Sequence, residues 1–175
     1  MLIKSNIMHR DIKPSNILIH NGILKLADFG FCKPLKDARD LSQTMLGSPI
    51  YMAPEILKGE LYTINADIWS LGVVLYEMLF GFCPFEERNI ARLIDLINSS
   101  SSLMFPNNIK ISKKTEDLLK RMLVKDHFKR ISWEELFDFD FLSQTPLQSS
   151  PSRNKSPFMK KQFNSVNTLN NLANN

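Results

Sequence analysis

The chain has 175 residues, of which 43% are hydrophobic and 23% charged, a composition typical of a globular domain. No apolar run approaches the roughly 20 residues that cross a bilayer, and residues 1–6 are too short and too polar for a signal peptide. The net charge of +4 arises in residues 143–175, which hold four lysines and arginines and no acidic residue. The preceding part is neutral, so we expect no specific nucleic-acid partner. Cys32 and Cys83 lie far apart without metal-ligand spacing, which favours reduced thiols in a soluble cytoplasmic protein.

The chain divides at about Leu142. Residues 143–175 are rich in Ser, Asn and Lys and show no sustained periodicity, so they bury too little apolar surface to offset the entropy of ordering. We therefore predict one domain over residues 1–142 and a disordered tail over residues 143–175.

In chain order, the first predicted element is a β-hairpin. Two short β-prone runs, residues 16–19 and 24–27, flank Asn21-Gly22, a strong signal for a two-residue turn. From Phe31 to about Pro54 no regular periodicity appears, which predicts a long loop. The hairpin brings the residues before its first strand beside those after its second.

Helices dominate the rest of the sequence. Residues 66–80 are mostly apolar and are followed by Gly81, which predicts a buried helix ended by glycine. Residues 88–98 form an amphipathic pattern. Ser112 opens a third predicted helix, and Ser132 with Glu135 forms a capping box at the start of a fourth. The predicted fold is therefore mainly α, with one small hairpin near the N-terminus.

The residues that carry chemistry lie on either side of the hairpin. Phosphoryl transfer to a hydroxyl needs a carboxylate that accepts the proton, a cation near the phosphate, and oxygen ligands for Mg²⁺. Asp11, Lys13 and Asn16 supply these three groups from one loop. Asp28, just after the hairpin, is placed to share a metal with Asn16, because Mg²⁺ prefers hard oxygen ligands.

These residues stand in two motifs that resemble those of eukaryotic protein kinases. Residues 9–16 read HRDIKPSN and resemble the catalytic loop of the serine/threonine type, and residues 28–30 read DFG. The match continues in register through APE at residues 53–55 and DIWSLG at residues 67–72, so it covers residues 1–142. The resemblance implies the large C-terminal lobe of the kinase fold without its small lobe. The activation segment most resembles the autophagy-initiating branch.

The resemblance also implies a role for each matching residue. It implies ATP and Mg²⁺ as cofactors, with Asp11 as catalytic base and Lys13 as the cation that steadies the phosphate. It makes Asn16 and Asp28 the magnesium ligands and Leu18 the floor beneath the adenine. The structural residues that it implies are His9 and Phe29, which stack together; Asp67, which holds the catalytic loop; and Glu55 and Arg130, which form a pair.

Regulation and partners follow from the same resemblance. Thr44 stands where activation-loop phosphorylation falls in many kinases, with Ser42 as the alternative, and Arg10 and Lys33 are placed to receive the phosphate. Ser48 matches the position that helps to hold the base and the lysine. The implied partners are protein substrates and an activating kinase. The sequence does not indicate an oligomeric state.

Simpler interpretations exist for single residues. His9 alone reads as a packed core histidine, Asp67 as a helix N-cap and Arg130 as a surface charge. The six glycines form no G-x-G-x-x-G loop, and the lysine strand of the small lobe does not appear. We therefore expect an N-terminally truncated serine/threonine kinase, weakly active or inactive alone. The alternative is a non-catalytic module that binds kinase substrates or regulators.

Overall fold

A computed structural model describes residues 7–34 and 49–139 of the chain, all of which fall within one compact unit. The strands in these ranges are β1 (Ile7–Met8), β2 (Ile17–His20), β3 (Ile23–Leu26) and β4 (Lys33–Pro34). The helices are α1 (Pro54–Leu57), α2 (Asn65–Phe80), α3 (Ile90–Ser99), α4 (Lys113–Met122) and α5 (Trp133–Phe137). The mainly helical fold predicted from the sequence is confirmed. The predicted boundary at Leu142 and the tail lie outside the described residues.

The predicted hairpin is confirmed. Strands β2 and β3 pair in antiparallel register from Ile17 opposite Leu26 to His20 opposite Ile23. Asn21 and Gly22 connect them with φ angles of 51° and 75°. A tight hairpin turn needs positive φ at both central residues, which asparagine and glycine tolerate best.

The predicted long loop from Phe31 to about Pro54 contains short regular segments near both of its ends. Strand β4 pairs with β1, Met8 lying opposite Lys33. Near the other end, Pro49–Tyr51 forms a 3-10 turn just ahead of α1. Both segments take their order from distant partners, and two or three residues are too few to show a period in the sequence. Residues 35–48 lie outside the described part of the chain.

Helix α2 forms the centre of the core, as predicted. Trp69 and Val73 have no solvent exposure, and α4 packs against the helix. Gly72 permits this approach, because a Cβ atom built there would lie 3.1 Å from the side chain of Leu123. The helix ends at Phe80 and is capped by Gly81, which has a φ of 85° and donates its N–H to the Glu77 carbonyl at 2.7 Å.

The remaining predicted helices are also confirmed, and so are the predicted caps of α4 and α5. Asn89 caps α3, Ser112 caps α4, and Ser132 with Glu135 forms the full capping box of α5. Helix α3 starts after Arg88 because the Asn89 side chain accepts a bond from the Arg92 N–H. No helix in the described ranges is long and apolar enough to cross a membrane.

Candidate active site

The candidate catalytic loop is bound to the core by one carboxylate. Asp67 accepts a hydrogen bond of 2.7 Å from the His9 N–H and one of 2.9 Å from the Arg10 N–H. Arg10 has a φ of 69°, in the left-handed region that costs about 1–2 kcal/mol for a residue other than glycine. The two bonds therefore hold a strained turn immediately before Asp11.

The carboxyl group of Asp67 is deeply buried. Burial raises its pKa above the usual value, and the two backbone N–H bonds oppose the shift by favouring the charged form. The interpretation of Asp67 as a helix N-cap is wrong, because α2 begins at Asn65 and the carboxylate is directed at the catalytic loop instead. Because Asp67 lies inside the first turn and does not cap the helix, its carboxylate is available to bind the distant His9 and Arg10.

His9 joins the catalytic loop to the segment that follows the hairpin. Its Nε2 lies 3.0 Å from the carbonyl oxygen of Ala27, and the Asp11 N–H lies 3.3 Å from its Nδ1. A carbonyl only accepts and an N–H only donates, so the ring carries its proton on Nε2. The ring of Phe29 meets it edge-on, with centroids 5.3 Å apart. The structure thus brings the predicted His9–Phe29 pair together, with His9 buried.

Asp11, Lys13 and Asn16 form a compact polar cluster. The Lys13 Nζ lies 2.8 Å from Oδ2 of Asp11. The amide nitrogen of Asn16 donates to the same Oδ2 at 2.9 Å and to the Asp11 backbone carbonyl at 2.8 Å. Asp11 is buried and receives both donors on one oxygen. The arrangement fixes the direction of the carboxylate.

The same contacts orient the side-chain oxygen of Asn16. Both atoms that its amide nitrogen faces are acceptors, so the amide oxygen points away from Asp11. The Asn16 backbone carbonyl accepts the Ala27 N–H at 2.8 Å, so the backbone of the next residue, Asp28, lies close to that of Asn16. Asp28 has a φ of 61°, and its carboxylate accepts a bond of 3.3 Å from the Gly30 N–H.

The side chains of Asn16 and Asp28 carry donor groups that suit a magnesium ion. An amide oxygen and a carboxylate are the hard donors that Mg²⁺ prefers. Within residues 7–34 and 49–139, no group of three or more His, Cys, Asp and Glu side chains is placed to hold a metal. A magnesium ion at this site would therefore take its other ligands from phosphate and water, as is usual for nucleotide-bound magnesium.

Leu18 lies on an open apolar surface. Leu18 is 53% exposed, and Ile23 on the same face of the hairpin is 62% exposed, whereas the exposed Ile19 and Leu24 lie on the opposite face. Two-stranded hairpins gain little stability from pairing alone, so an apolar hairpin surface of this kind is typical of a site that another molecule or segment covers.

The predicted regulatory residues are only partly described. Nη1 of Arg10 lies 3.2 Å from the hydroxyl of Tyr62. Lys33 belongs to β4, but its side chain is not described, and the predicted phosphorylation site Thr44 lies outside the described residues. Ser42 and Ser48 also lie outside them.

Glu55 and Arg130 lie together in a buried ion pair. Two parallel bonds of 2.7 and 2.9 Å join the guanidinium to the carboxylate, and the side chains of Arg130 and Glu55 are 0% and 1% exposed. Arg130 also donates to the carbonyls of Asn65 and Val124, each at 2.9 Å. The pair therefore fastens α1 to the start of α2. The interpretation of Arg130 as a surface charge is wrong.

Sequence reasoning missed a second group of residues, around Tyr51. Its hydroxyl donates to the Glu77 carboxylate at 2.6 Å, and its carbonyl accepts from the Ser70 hydroxyl at 2.7 Å. Burial and the bond to Glu77 raise the pKa of Tyr51 well above its usual value, so the hydroxyl remains a donor. Burial likewise raises the pKa of the neighbouring Cys83 to about 12. Tyr51 is far in sequence from Ser70 and Glu77, so no local sequence pattern could have predicted these contacts.

The chain belongs to the protein kinase family, because the model of the protein kinase domain matches residues 1–142. The predicted family and its fold are thereby confirmed. The predicted resemblance to ATP-dependent protein serine/threonine kinases agrees with the names of the relatives below. Kinases of this family use ATP with Mg²⁺ and act on protein substrates.

Three similar proteins are named as serine/threonine-protein kinases. Serine/threonine-protein kinase ULK3 of Xenopus laevis is 39% identical over 157 residues, 88% of this chain and 33% of the relative. Serine/threonine-protein kinase atg1 of Dictyostelium discoideum is 40% identical over 146 residues, 81% of this chain and 21% of the relative. Testis-specific serine/threonine-protein kinase 3 of Mus musculus is 43% identical over 141 residues, 79% of this chain and 52% of the relative.

The names ULK3 and atg1 agree with the branch that the activation segment favours, and the testis-specific relative shows that the likeness extends beyond it. The chain spans about a fifth to a half of the length of these relatives.

Proposed function

We propose that the chain carries the catalytic centre of a serine/threonine kinase that transfers the γ-phosphate of ATP to hydroxyl groups of proteins. The cluster of Asp11, Lys13 and Asn16 is the observation that supports this most directly. A buried carboxylate with a fixed direction, beside a lysine and an amide, is what transfer to a hydroxyl requires.

Each residue of the cluster, together with Asp28, has one role in the proposed reaction. Asp11 orients the substrate hydroxyl and accepts its proton as the oxygen–phosphorus bond forms and the bond to the β-phosphate oxygen breaks. Lys13 lies 2.8 Å from the base, so its charge is close to the transferred group. Asn16 and Asp28 hold the metal. Magnesium, where bound, neutralises charge on the phosphates.

We further propose that residues 1–175 by themselves transfer phosphate weakly or not at all. Leu18, the proposed floor of the adenine site, is half exposed, and Ile23 on the same face of the hairpin is exposed as well. A nucleotide bound to one such surface keeps much of its contact with water, whereas efficient transfer needs a closed, preorganised site.

The proposed regulation rests on Arg10. A phosphate on Thr44 would add close to two negative charges, and Arg10 and Lys33 would receive them. The activating kinase and the cytoplasmic location stay predictions from the sequence.

Nucleotide binding tests the proposal. Titration calorimetry with ATP should show weak binding that requires Mg²⁺ and is lost in Asp28→Asn, because the metal loses a charged ligand. Asp11→Asn is the matched control, since it changes a buried carboxylate to an amide without removing a proposed metal ligand. It should keep the binding and lose any transfer to added peptide.

Two outcomes would contradict parts of the proposal. A folded chain without magnesium-dependent ATP binding favours the non-catalytic module. Tight ATP binding together with autophosphorylation at Thr44 would contradict weak activity and leave the catalytic assignment in place.

A further inference from the structure

Helix α3 ends without the kind of glycine cap that closes α2. Its C-cap residue, Ser100, has an extended backbone with a φ of −64° and a ψ of 117°, whereas Gly81 adopts the left-handed conformation. The Ser100 N–H donates to the Leu96 carbonyl at 3.2 Å, and the Ser100 hydroxyl donates to the same oxygen at 2.7 Å. The last carbonyl groups of an α-helix lack N–H partners within the helix, so the end of α3 needs donors from elsewhere in the chain.

The side chain of Lys125 supplies donors to this helix end. Lys125 lies between α4 and α5, and its Nζ donates to the carbonyl oxygen of Asn98 at 2.9 Å and to that of Ser100. An ammonium group carries three donors and a positive charge, so it satisfies carbonyl groups and also complements the negative end of the helix dipole. Leu93 and Ile97 anchor α3 by burial, but Asn98 is exposed. The last turn is therefore held by a cation from another part of the chain.

The backbone beside this lysine is bound to the buried ion pair. The Val124 carbonyl accepts a hydrogen bond of 2.9 Å from Nε of Arg130, and the Lys125 carbonyl lies 3.5 Å from Nη2 of the same residue. Arg130 in turn binds Glu55 of α1. Residues 124–125 thus contact the buried pair through their backbone and the end of α3 through a side chain.

We propose that Lys125 is a latch, whose ammonium group holds the last turn of α3 and couples it to the Glu55–Arg130 pair. With the latch closed, α1, α3 and the connection between α4 and α5 move as one body. Loss of the charge on Lys125 opens the latch and frees the last turn of α3, while the Asn89 cap keeps the first turn in place. The latch works whether or not the chain transfers phosphate.

The ordinary behaviour of a surface lysine does not explain this geometry. Lys113 and Lys120 are exposed and share the side-chain carboxylate of Glu116 on their own helix, an arrangement that contributes little to stability. Lys125 is partly buried and binds two backbone oxygens of a distant helix. Backbone carbonyls cannot turn away as a flexible carboxylate can, so these bonds constrain the position of the helix end.

Hydrogen exchange of the whole chain tests the latch. In Lys125→Met, the amides of residues 98–100 should exchange about threefold to thirtyfold faster, the range expected for a charge at a partly buried helix C-terminus. The amides of Arg92 and Leu93, bound by the N-cap residue, should not change. Lys129→Met removes an exposed charge nearby and is the matched control, which should leave residues 98–100 unaffected. Lys125→Arg keeps the charge and should retain most of the protection.

Two results would overturn the latch. One is unchanged exchange at residues 98–100 in Lys125→Met. The other is equal acceleration at Arg92 and Leu93, which would show a general loss of stability. Circular dichroism checks that each variant is folded, and Lys125→Gln, which is polar but uncharged, takes the place of Lys125→Met if the methionine variant does not fold.

A double variant tests the coupling to the buried pair. Glu55→Gln weakens the hold on Arg130, so by itself it should accelerate exchange at residues 98–100 by about twofold or more. In the Lys125→Met background, where the latch is already open, the same substitution should add less than about twofold. No effect of Glu55→Gln on residues 98–100, or effects that simply multiply in the double variant, would overturn the coupling.

Discussion

Replacing Arg130 by methionine should destabilise the fold more than any surface substitution. The change leaves the Glu55 carboxylate, 1% exposed, without the guanidinium that binds it through two bonds of 2.7 and 2.9 Å. Removing one member of a buried ion pair typically costs about 3–5 kcal/mol, because the remaining charge stays buried. That is a large share of the roughly 5–15 kcal/mol by which most domains are stable.

The partner substitution should cost less. In Glu55→Gln the guanidinium keeps the carbonyls of Asn65 and Val124 as acceptors, and the glutamine oxygen can still accept one bond. The double variant, Arg130→Met with Glu55→Gln, should be more stable than the sum of the two losses predicts, since no unpaired charge remains.

Urea unfolding followed by far-ultraviolet circular dichroism measures these differences. Lys129→Met is the matched control, because Lys129 is adjacent in sequence but 79% exposed and its ion pair with Asp126 spans 3.4 Å. Its loss should lie within about 0.5 kcal/mol of zero. A loss below about 1 kcal/mol in Arg130→Met, or one equal to that of Lys129→Met, would refute the assignment of a buried pair that holds α1 on α2.

Three further predictions concern α2 and its surroundings. Burial raises the pKa of Asp67 in the folded state, so its contribution to stability is fully present below the unfolded pKa and falls as pH rises through the folded pKa. The stability difference between the unsubstituted chain and Asp67→Asn, measured by urea unfolding, should therefore shrink from acid to neutral pH, and a difference that grows would contradict this sign. The Cys83 thiol, whose pKa burial raises to about 12, should react with a thiol reagent at mildly alkaline pH only after urea unfolds the chain, so rapid labelling of the folded chain would show the burial to be wrong. Gly72→Ala should lower the melting temperature and cost about 1–3 kcal/mol, despite the better helix propensity of alanine, because the new Cβ would lie 3.1 Å from the Leu123 side chain. An unchanged melting temperature in Gly72→Ala would contradict the close packing at that position.

Elements with local signals were predictable from the sequence. The Asn21-Gly22 turn requires two positive φ angles that few residue pairs tolerate, so it located the hairpin on its own. The Ser132–Glu135 capping box lies within a single turn, so the identities of its residues are enough to signal the start of α5.

Elements that depend on distant partners were not predictable. The Pro49–Tyr51 turn owes its position to Ser70 and Glu77, and β4 owes its order to β1. Neither leaves a period or a propensity in its own few residues. In the site, the motifs predicted which residues gather but not the hydrogen bonds that orient them, such as the shared Oδ2 of Asp11.

Several of the groups that hold the candidate site in place belong to one helix, α2. Asp67 holds the strained turn at Arg10, Ser70 and Glu77 hold the Pro49–Tyr51 turn, and the Asn65 carbonyl receives Arg130. Because Arg10 occupies a backbone conformation that its side chain disfavours, the loop needs this external support to keep Asp11 in place. Packing of α2 should therefore govern the geometry of the base and of the Pro49–Tyr51 turn together. A substitution that loosens the helix core, such as Gly72→Ala, should therefore weaken magnesium-dependent nucleotide binding, measured by titration calorimetry, as well as lower the melting temperature.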